Sequence, residues 1–372
     1  MDRKSKMKVL VVFGTRPEAI KMCPVIKKLK EKSNIICRAC LTGQHEEMLN
    51  QVMETFDIKS DYNLHVMTER QTLAGVSARI MTGLQEIYEK EKPDVVLVHG
   101  DTTSSYIAAV CAFYQHIPIG HVEAGLRTYR LQSPFPEEFN RQSIDMISDI
   151  YFAPTKLAQQ QLLNEGKNAA HIYVTGNTAI DALKDTIRES YYSSDLEWCK
   201  DSRFILLTAH RRENIGEPMY HMFAAVRKII ENNPDVKVIY PIHKNPQVRK
   251  IAEEVFAGCD RIRMVEPLDV MDFHNYMKQS YLILTDSGGI QEEAPALGIP
   301  VLVMRDTTER PEGVEAGILK LVGTDEACII KEAEQLLWDK AMYEKMSQAK
   351  NPYGDGHASE RIVECLLKEF GG

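Results

Sequence analysis

Short apolar runs rich in β-branched residues recur along the chain and alternate with segments whose apolar positions repeat at helical spacing. KVLVVFG, IICRACLTG, PDVVLVHGD, PIGHVEAG and IYFAPT make a first set of predicted strands, and RFILLTAH, VKVIYPIH, RIRMVEP, YLILTDSGG and PVLVMRD a second. Strands that are continuously apolar, with helices between them, belong to parallel sheets covered on both faces. The amphipathic stretches 71–90 and 215–232 supply such helices. Two series of this kind predict an α/β protein of two doubly wound, Rossmann-like domains. The polar stretch RESYYSSDLEWCKDSR puts the boundary between residues 170 and 190. The expected domains are 1–175 and 176–356, with a closing amphipathic helix, 357–372, packing back on the first.

The length of 372 residues is sufficient for two cores. A formal net charge of -8 argues against a nucleic-acid partner, so any anion site must be built from locally placed Arg, Lys and His. The apolar run near the N-terminus is too short for a signal segment and stops at Thr15-Arg16-Pro17-Glu18. No stretch reaches membrane-spanning length, and the expectation is a cytoplasmic protein with no membrane partner. Cys37 and Cys40 form a C-x-x-C inside a predicted strand, where odd spacing sends the side chains to opposite faces, so buried thiols are expected. Neither G-x-G-x-x-G nor G-x-x-x-x-G-K-[ST] occurs, which removes the fingerprints for NAD and ATP. GQHEEML departs from H-E-x-x-H at Leu49, and there is no D-x-D. No metal and no cofactor are expected.

The candidate chemistry lies at strand ends. In TDSGGIQEEAPALGIPVLV, residues 285–303, Ser287, Gly288 and Gly289 lead a strand into a helix. Bare glycine backbone and the positive end of the helix dipole suit a phosphate. Glu293 lies one turn further on, placed to accept two hydrogen bonds from the vicinal diol of a ribose. In GTRPEA, Thr15 and Glu18 fit a capping box with Pro17 in the first turn. Arg16 does not fit, because a cation at a helix N-terminus opposes the dipole; a bound anion would remove the misfit. Lys21 lies within reach, and His210, Arg211 and Arg212 repeat the misfit in the second half. Asp101 ends one predicted strand, Glu123 ends the next, and Glu137 sits in SPFPEEFNR. All three belong where the strand C-termini form a ligand crevice. Structural roles compete with this: a helix cap for Asp101 beside Thr102 and Thr103, and an i,i+4 surface pair for Glu137 and Arg141.

FGTRPEAIK, TGQHEEML, VHGDTTS, GHVEAGLRT, PEEFNRQ, TGNTAIDAL, AHRRENIGEP, YPIHKNP, LTDSGGIQEEAPALGIPVLVMRDTTERPE and NPYGDG run in order from about residue 8 to the last helix. Together they resemble the bacterial non-hydrolysing UDP-N-acetylglucosamine 2-epimerases. The resemblance implies two Rossmann-like domains facing a cleft, GT-B-like, as a homodimer. It implies interconversion of UDP-GlcNAc and UDP-ManNAc by elimination and re-addition of UDP, supplying ManNAc units for cell-surface polysaccharide. By motif match, UDP contacts fall on Arg16, His210, Phe273, Ser287, Gly288, Gly289, Glu293 and Arg310, while Lys21 and Arg141 lie on the sugar side. Asp101, Glu123 and Glu137 are the proton-transfer candidates, and His210 joins the catalytic set by stabilising the departing UDP. A second UDP-GlcNAc as effector is implied for Gln44, Arg70, Arg211 and His243, with Glu47 where some relatives have Gln. Leu268 likewise replaces a Gln near the uracil. A hydrolysing relative releasing ManNAc and UDP, and a GT-B glycosyltransferase, are the alternative readings. Turnover is expected to survive exhaustive chelation by EDTA; loss of activity with rescue by a divalent ion would overturn this reading of the diphosphate site.

Overall fold

The computed structural model describes residues 6–43, 46–67 and 72–371. Two compact units emerge, Met1–Asp185 with Tyr353–Gly372, and Thr186–Pro352. The division thus falls at 185/186 rather than 175/176, and the chain re-enters the first unit at Tyr353, ahead of residue 357. The helix Thr178–Thr186 accounts for the shift, because Asp181 on it accepts hydrogen bonds from the N–H groups of Ala358 (3.1 Å) and Ser359 (2.7 Å) at the start of the helix Ala358–Phe370.

The first unit holds a parallel sheet of β1 (Met7–Phe13), β2 (Ile35–Leu41), β3 (Tyr62–Asn63), β4 (Val95–His99), β5 (Ile119–Val122), β6 (Ile150–Ala153) and β7 (Ile172–Val174). Its strand order is β3-β2-β1-β4-β5-β6-β7. The second unit holds β8 (Arg203–Thr208), β9 (Val236–Pro241), β10 (Ile262–Val265), β11 (Leu282–Thr285), β12 (Val301–Val303) and β13 (Leu319–Leu321), in the order β10-β9-β8-β11-β12-β13. Both chains of strands start in the middle, run outward on one side, and cross back to build the other. The switch points are β1/β4, where Val11 lies opposite Leu97, and β8/β11, where Thr208 lies opposite Thr285. Ligand crevices of doubly wound sheets open at such points. The strands β3, β7 and β13 were outside the predicted sets; each is two or three residues long and too short to show a pattern.

Burial explains the continuous apolar runs. Every residue of β4 is buried, and the helix Arg16–Lys30 lays Ala19, Met22, Cys23, Val25, Ile26 and Leu29 on the first sheet. In the second unit Phe223 packs against Tyr240 and Phe256 with ring centroids 5.5 and 5.0 Å apart. Cys37 and Cys40 lie on β2 as free, buried thiols, and burial pushes both up to about 12. Among the described residues no helix is long and apolar enough to cross a membrane.

One glycine bears on the site directly. Gly125 has φ +86°, and a Cβ there would stand 2.4 Å from the carbonyl oxygen of Ala158. Gly125→Ala is expected to cost about 2–4 kcal/mol through strain and overlap; an unchanged urea midpoint for the first unit would refute this.

Candidate functional site

The C-terminal ends of β1, β4 and β5 bring the first-unit residues together. Glu123 follows β5 in left-handed conformation, φ 66°. Lys21, from the helix Arg16–Lys30, ion-pairs with Glu123 Oε2, and Asn177 Nδ2 donates to the same oxygen at 3.0 Å. His99 Nε2 points at it from 3.6 Å and has no hydrogen-bond partner. Burial pushes the Glu123 carboxyl up, but the Lys21 and His99 charges and the Lys21 hydrogen bond outweigh burial and hold it well below the usual carboxylate range.

Asp101 pairs with Arg141, and its carbonyl accepts from Asn140 Nδ2 at 2.8 Å. Both competing structural roles are absent here. Thr102, not Asp101, caps the helix Thr103–Tyr114, accepting from Ser105 N–H at 3.1 Å. Arg141 turns to Asp101 rather than Glu137, and its Nη1 lies 3.4 Å from Glu138. Glu137 opens the helix Glu137–Ile147 and is half-buried. Glu138 is buried and accepts from the N–H groups of Thr128 (3.0 Å) and Tyr129 (2.9 Å). Behind Asp101, His121 bridges Asp145 (Nδ1, 2.6 Å) and the Gly100 carbonyl (Nε2, 2.7 Å). Arg127 completes this buried group, 2.7 Å from Asp145.

Glu18 has a larger role than a helix cap. Its buried carboxylate accepts from Gly14 N–H (2.9 Å), Thr15 N–H (2.7 Å), Thr15 Oγ1 (2.8 Å) and Thr102 Oγ1 (2.6 Å). The Ser105 hydroxyl lies 2.7 Å from both Glu18 Oε1 and the His99 carbonyl. The loop carrying Arg16 is thereby tied to the loop carrying Asp101. The Gly14 and Thr15 amides at this entrance are thereby bonded within the chain.

The second unit has the same device. Asp286, fully buried after β11, accepts from the N–H groups of His210 (3.0 Å) and Arg211 (2.9 Å) and from Asn214 Nδ2 (3.2 Å). The expectation that His210 stands at a helix entrance is corrected. A 3-10 turn, Arg212–Asn214, follows it, and the helix begins only at Glu217, because Asp286 draws the loop inward. The His210 ring stacks on His243, centroids 5.6 Å apart and planes 13° apart. Burial, followed by the His210 charge, moves His243 below the usual histidine value.

Ser287, Gly288 and Gly289 follow Asp286. Gly289 has φ -62° and ψ -39°, so glycine is not required there by conformation. At Gly288 a Cβ would lie 2.9 Å from Arg310 Nη1 and 3.4 Å from Arg211 Nη2. Two guanidinium groups therefore overlie the glycine loop. Arg310 is held by Glu292 (Nε to Oε1, 2.5 Å). Thr308 donates to Gln291 Oε1 at 2.6 Å, and Gln291 Nε2 donates to the Ser287 carbonyl at 3.0 Å. The two glutamates of residues 285–303 thus divide: Glu292 orients Arg310, while Glu293 lies 3.7 Å from His274 Nε2. Phe273 neighbours His274 on the helix Val270–Gln279 and is half-buried. Of the effector group, Arg211 and His243 are seen; Gln44, Arg70 and the Glu47 side chain lie outside the described residues. Among the described residues no three His, Cys, Asp or Glu gather as a metal site.

Sequence reasoning missed Asn177 and Asp286. Both stood in the motifs, as TGNT and TDSGG, but nothing local shows that their partners come from other strands.

Two parallel sheets of the same winding, each with its polar groups at the switch point, are those of a GT-B-like α/β enzyme. The family profile described as UDP-N-acetylglucosamine 2-epimerase matches residues 27–367. A UDP-N-acetylglucosamine 2-epimerase of Bacillus subtilis is 56% identical over 366 residues, covering 98% of this chain and 96% of its own. UDP-GlcNAc 2-epimerase from Neisseria meningitidis, solved bound to UDP-GlcNAc, is 46% identical with a TM-score of 0.90, covering 97% of this chain and 100% of that one. Staphylococcus aureus MnaA, solved with UDP, is 51% identical with a TM-score of 0.90, covering 98% of this chain and 97% of its own. The chain belongs to the UDP-N-acetylglucosamine 2-epimerase family, and it is an isomerase.

The depressed Glu123 carboxyl sets a pH window. A carboxylate with a lowered folded-state value stabilises fully above its unfolded value, about 4.3, and loses that contribution as pH falls through the folded value. The difference in urea midpoint between wild type and Glu123→Gln is expected to be constant from about pH 5 to 7 and to narrow below about pH 4. A difference that widened on acidification would contradict the Lys21 pairing.

Proposed function

We propose that the protein interconverts UDP-GlcNAc and UDP-ManNAc by elimination and re-addition of UDP. The observation that carries this is the pairing of two of the three candidate acids with a cation each, Glu123 with Lys21 and Asp101 with Arg141. A C2 proton beside an acetamido group is too weakly acidic to be removed unaided. Removing it as the C1–O bond breaks lets the C2–H electrons form the C1=C2 double bond of 2-acetamidoglucal, while the C1–O electrons leave on UDP. Return of a proton to the opposite face of C2, with attack of the UDP oxygen at C1, gives the epimer. Two or more positioned carboxyl groups are needed, one for each face. Asp101, Glu123 and Glu137 carry these transfers, with Lys21 and Arg141 orienting the sugar.

The uridine diphosphate goes to the second-unit group. Charge develops on its β-phosphate as C1–O breaks, and positive groups fixed in advance stabilise it without reorganising. Arg310, held by Glu292, lies against Gly288, and His210 is fixed through its backbone by Asp286. Ser287 and Gly289 line the phosphate side, Phe273 the base, and Glu293 the ribose diol.

Several finer features belong to the same reading: a homodimer in the cytoplasm, supplying ManNAc units for cell-surface polysaccharide. A second UDP-GlcNAc acts as effector through Gln44, Glu47, Arg70, Arg211 and His243. Glu47 accepts hydrogen bonds but cannot donate as Gln does, so the effector binds more weakly than in relatives with Gln.

The test is incubation of the pure protein with UDP-GlcNAc in D2O, with the bridging anomeric oxygen labelled. Expected are UDP-ManNAc carrying deuterium at C2 and label scrambled into non-bridging positions of the β-phosphate. Exchange at C2 without scrambling would reject elimination. Free ManNAc and UDP as main products would establish the hydrolysing alternative.

A further inference from the structure

Asn177 joins three segments of the first unit while almost wholly buried, at 3% exposure. Its backbone N–H donates to the Tyr353 carbonyl at 2.7 Å, at the point where the chain re-enters this unit. Its side-chain Oδ1 accepts from Ala179 N–H at 2.9 Å, at the start of the helix Thr178–Thr186. That bond fixes the orientation of the amide, since only the oxygen can accept from an N–H. The amine is therefore directed at Glu123 Oε2, 3.0 Å away. The approach is close on both sides. Gly176 has φ +91° and Gly354 φ +132°, and a Cβ on Gly354 would lie 3.3 Å from Gly176 Cα and 3.5 Å from Asn177 N.

We propose that Asn177 is a positioning residue that fixes the Glu123 carboxylate and makes its orientation depend on the re-entrant segment at Tyr353–Gly354. Lys21 alone attracts Glu123 as a point charge without setting its rotation; a second donor, from another direction, selects one rotamer. The proposal rests on the proton-transfer role given to Glu123 above.

Asn177→Asp separates the effects. It keeps the size and the Ala179 bond but replaces the donor facing Glu123 with an oxygen. The charged groups around that point are Lys21 on the helix Arg16–Lys30, His99 on β4 and Glu123 itself after β5. Asp181 is engaged with Ala358 and Ser359, and Asp355 with Arg361 on the returning segment. Two facing carboxyl groups share a proton as pH falls, and the protonated introduced group donates to Glu123 again.

The expected result at pH 8 is a kcat lower by roughly 10- to 100-fold, the size of a lost hydrogen bond to a charged group. The UDP dissociation constant is expected to stay unchanged. As pH is lowered towards 6 the kcat deficit relative to wild type narrows. Gly354→Ala, which pushes the returning segment away, lowers kcat in the same direction without the acid recovery. A wild-type kcat for Asn177→Asp, an equal loss of UDP affinity, or a deficit independent of pH would each overturn the proposal. If Asn177→Asp does not fold, Gly354→Ala decides: wild-type kcat overturns the coupling, reduced kcat with intact UDP affinity supports it. Glu123→Gln is measured alongside. Wild-type turnover in that variant would mean that the role given to Glu123 is wrong, whereas its loss together with an active Asn177→Asp would refute the positioning role alone.

Discussion

A buried carboxylate that collects the amides of a loop is the constraint on which both halves of this protein depend. Glu18 does this after β1, and Asp286 does it for the loop after β8. An ionised group of that kind, taken out of water, is tolerable only if its lone pairs are filled by donors. Here the donors are the backbone and hydroxyl groups of the loops that carry the functional side chains. Satisfying the carboxylate and shaping the loop are one event. The backbone is consequently fixed at Gly14 and Thr15, next to Arg16, and at His210 and Arg211 themselves.

The charges are distributed differently in the two units. In the first, Glu123 with Lys21 and Asp101 with Arg141 form local pairs, so negative groups sit at the strand ends without a large net field. In the second, Arg310 and Arg211 overlie a glycine, and the carboxylate that orients Arg310 is set on its far nitrogen, Nε. Arg310 Nη1 lies towards the loop and 3.7 Å from Glu309 Oε2.

The alternation of apolar runs and helices was sufficient for the fold, because a parallel strand buried on both faces leaves an unmistakable stretch such as VVLVH. The edge strands Tyr62–Asn63, Ile172–Val174 and Leu319–Leu321 left none, since two or three residues carry no period. Site residues at strand ends were legible for the same reason that the strands were. Partnerships across strands were not. Glu18 reads as a cap, which it is, but its hold on Thr102 depends on β1 lying beside β4. Asp286 reads as a strand terminus, and its hold on His210 depends on β8 lying beside β11. Arg211 over Gly288 is likewise a fact of three dimensions.

The order in which the chain is made bears on how the first unit assembles. Tyr353–Gly372 belongs to it, although all of Thr186–Pro352 forms the other unit. On a ribosome the second unit has its full complement of residues while the first still lacks the helix Ala358–Phe370. Until those residues emerge, Asp181 has no Ala358 and Ser359 amides to accept from, and Asn177 has no Tyr353 carbonyl. The first unit is sealed after the second, so the surroundings of Glu123 are completed only once all of Thr186–Pro352 has been synthesised.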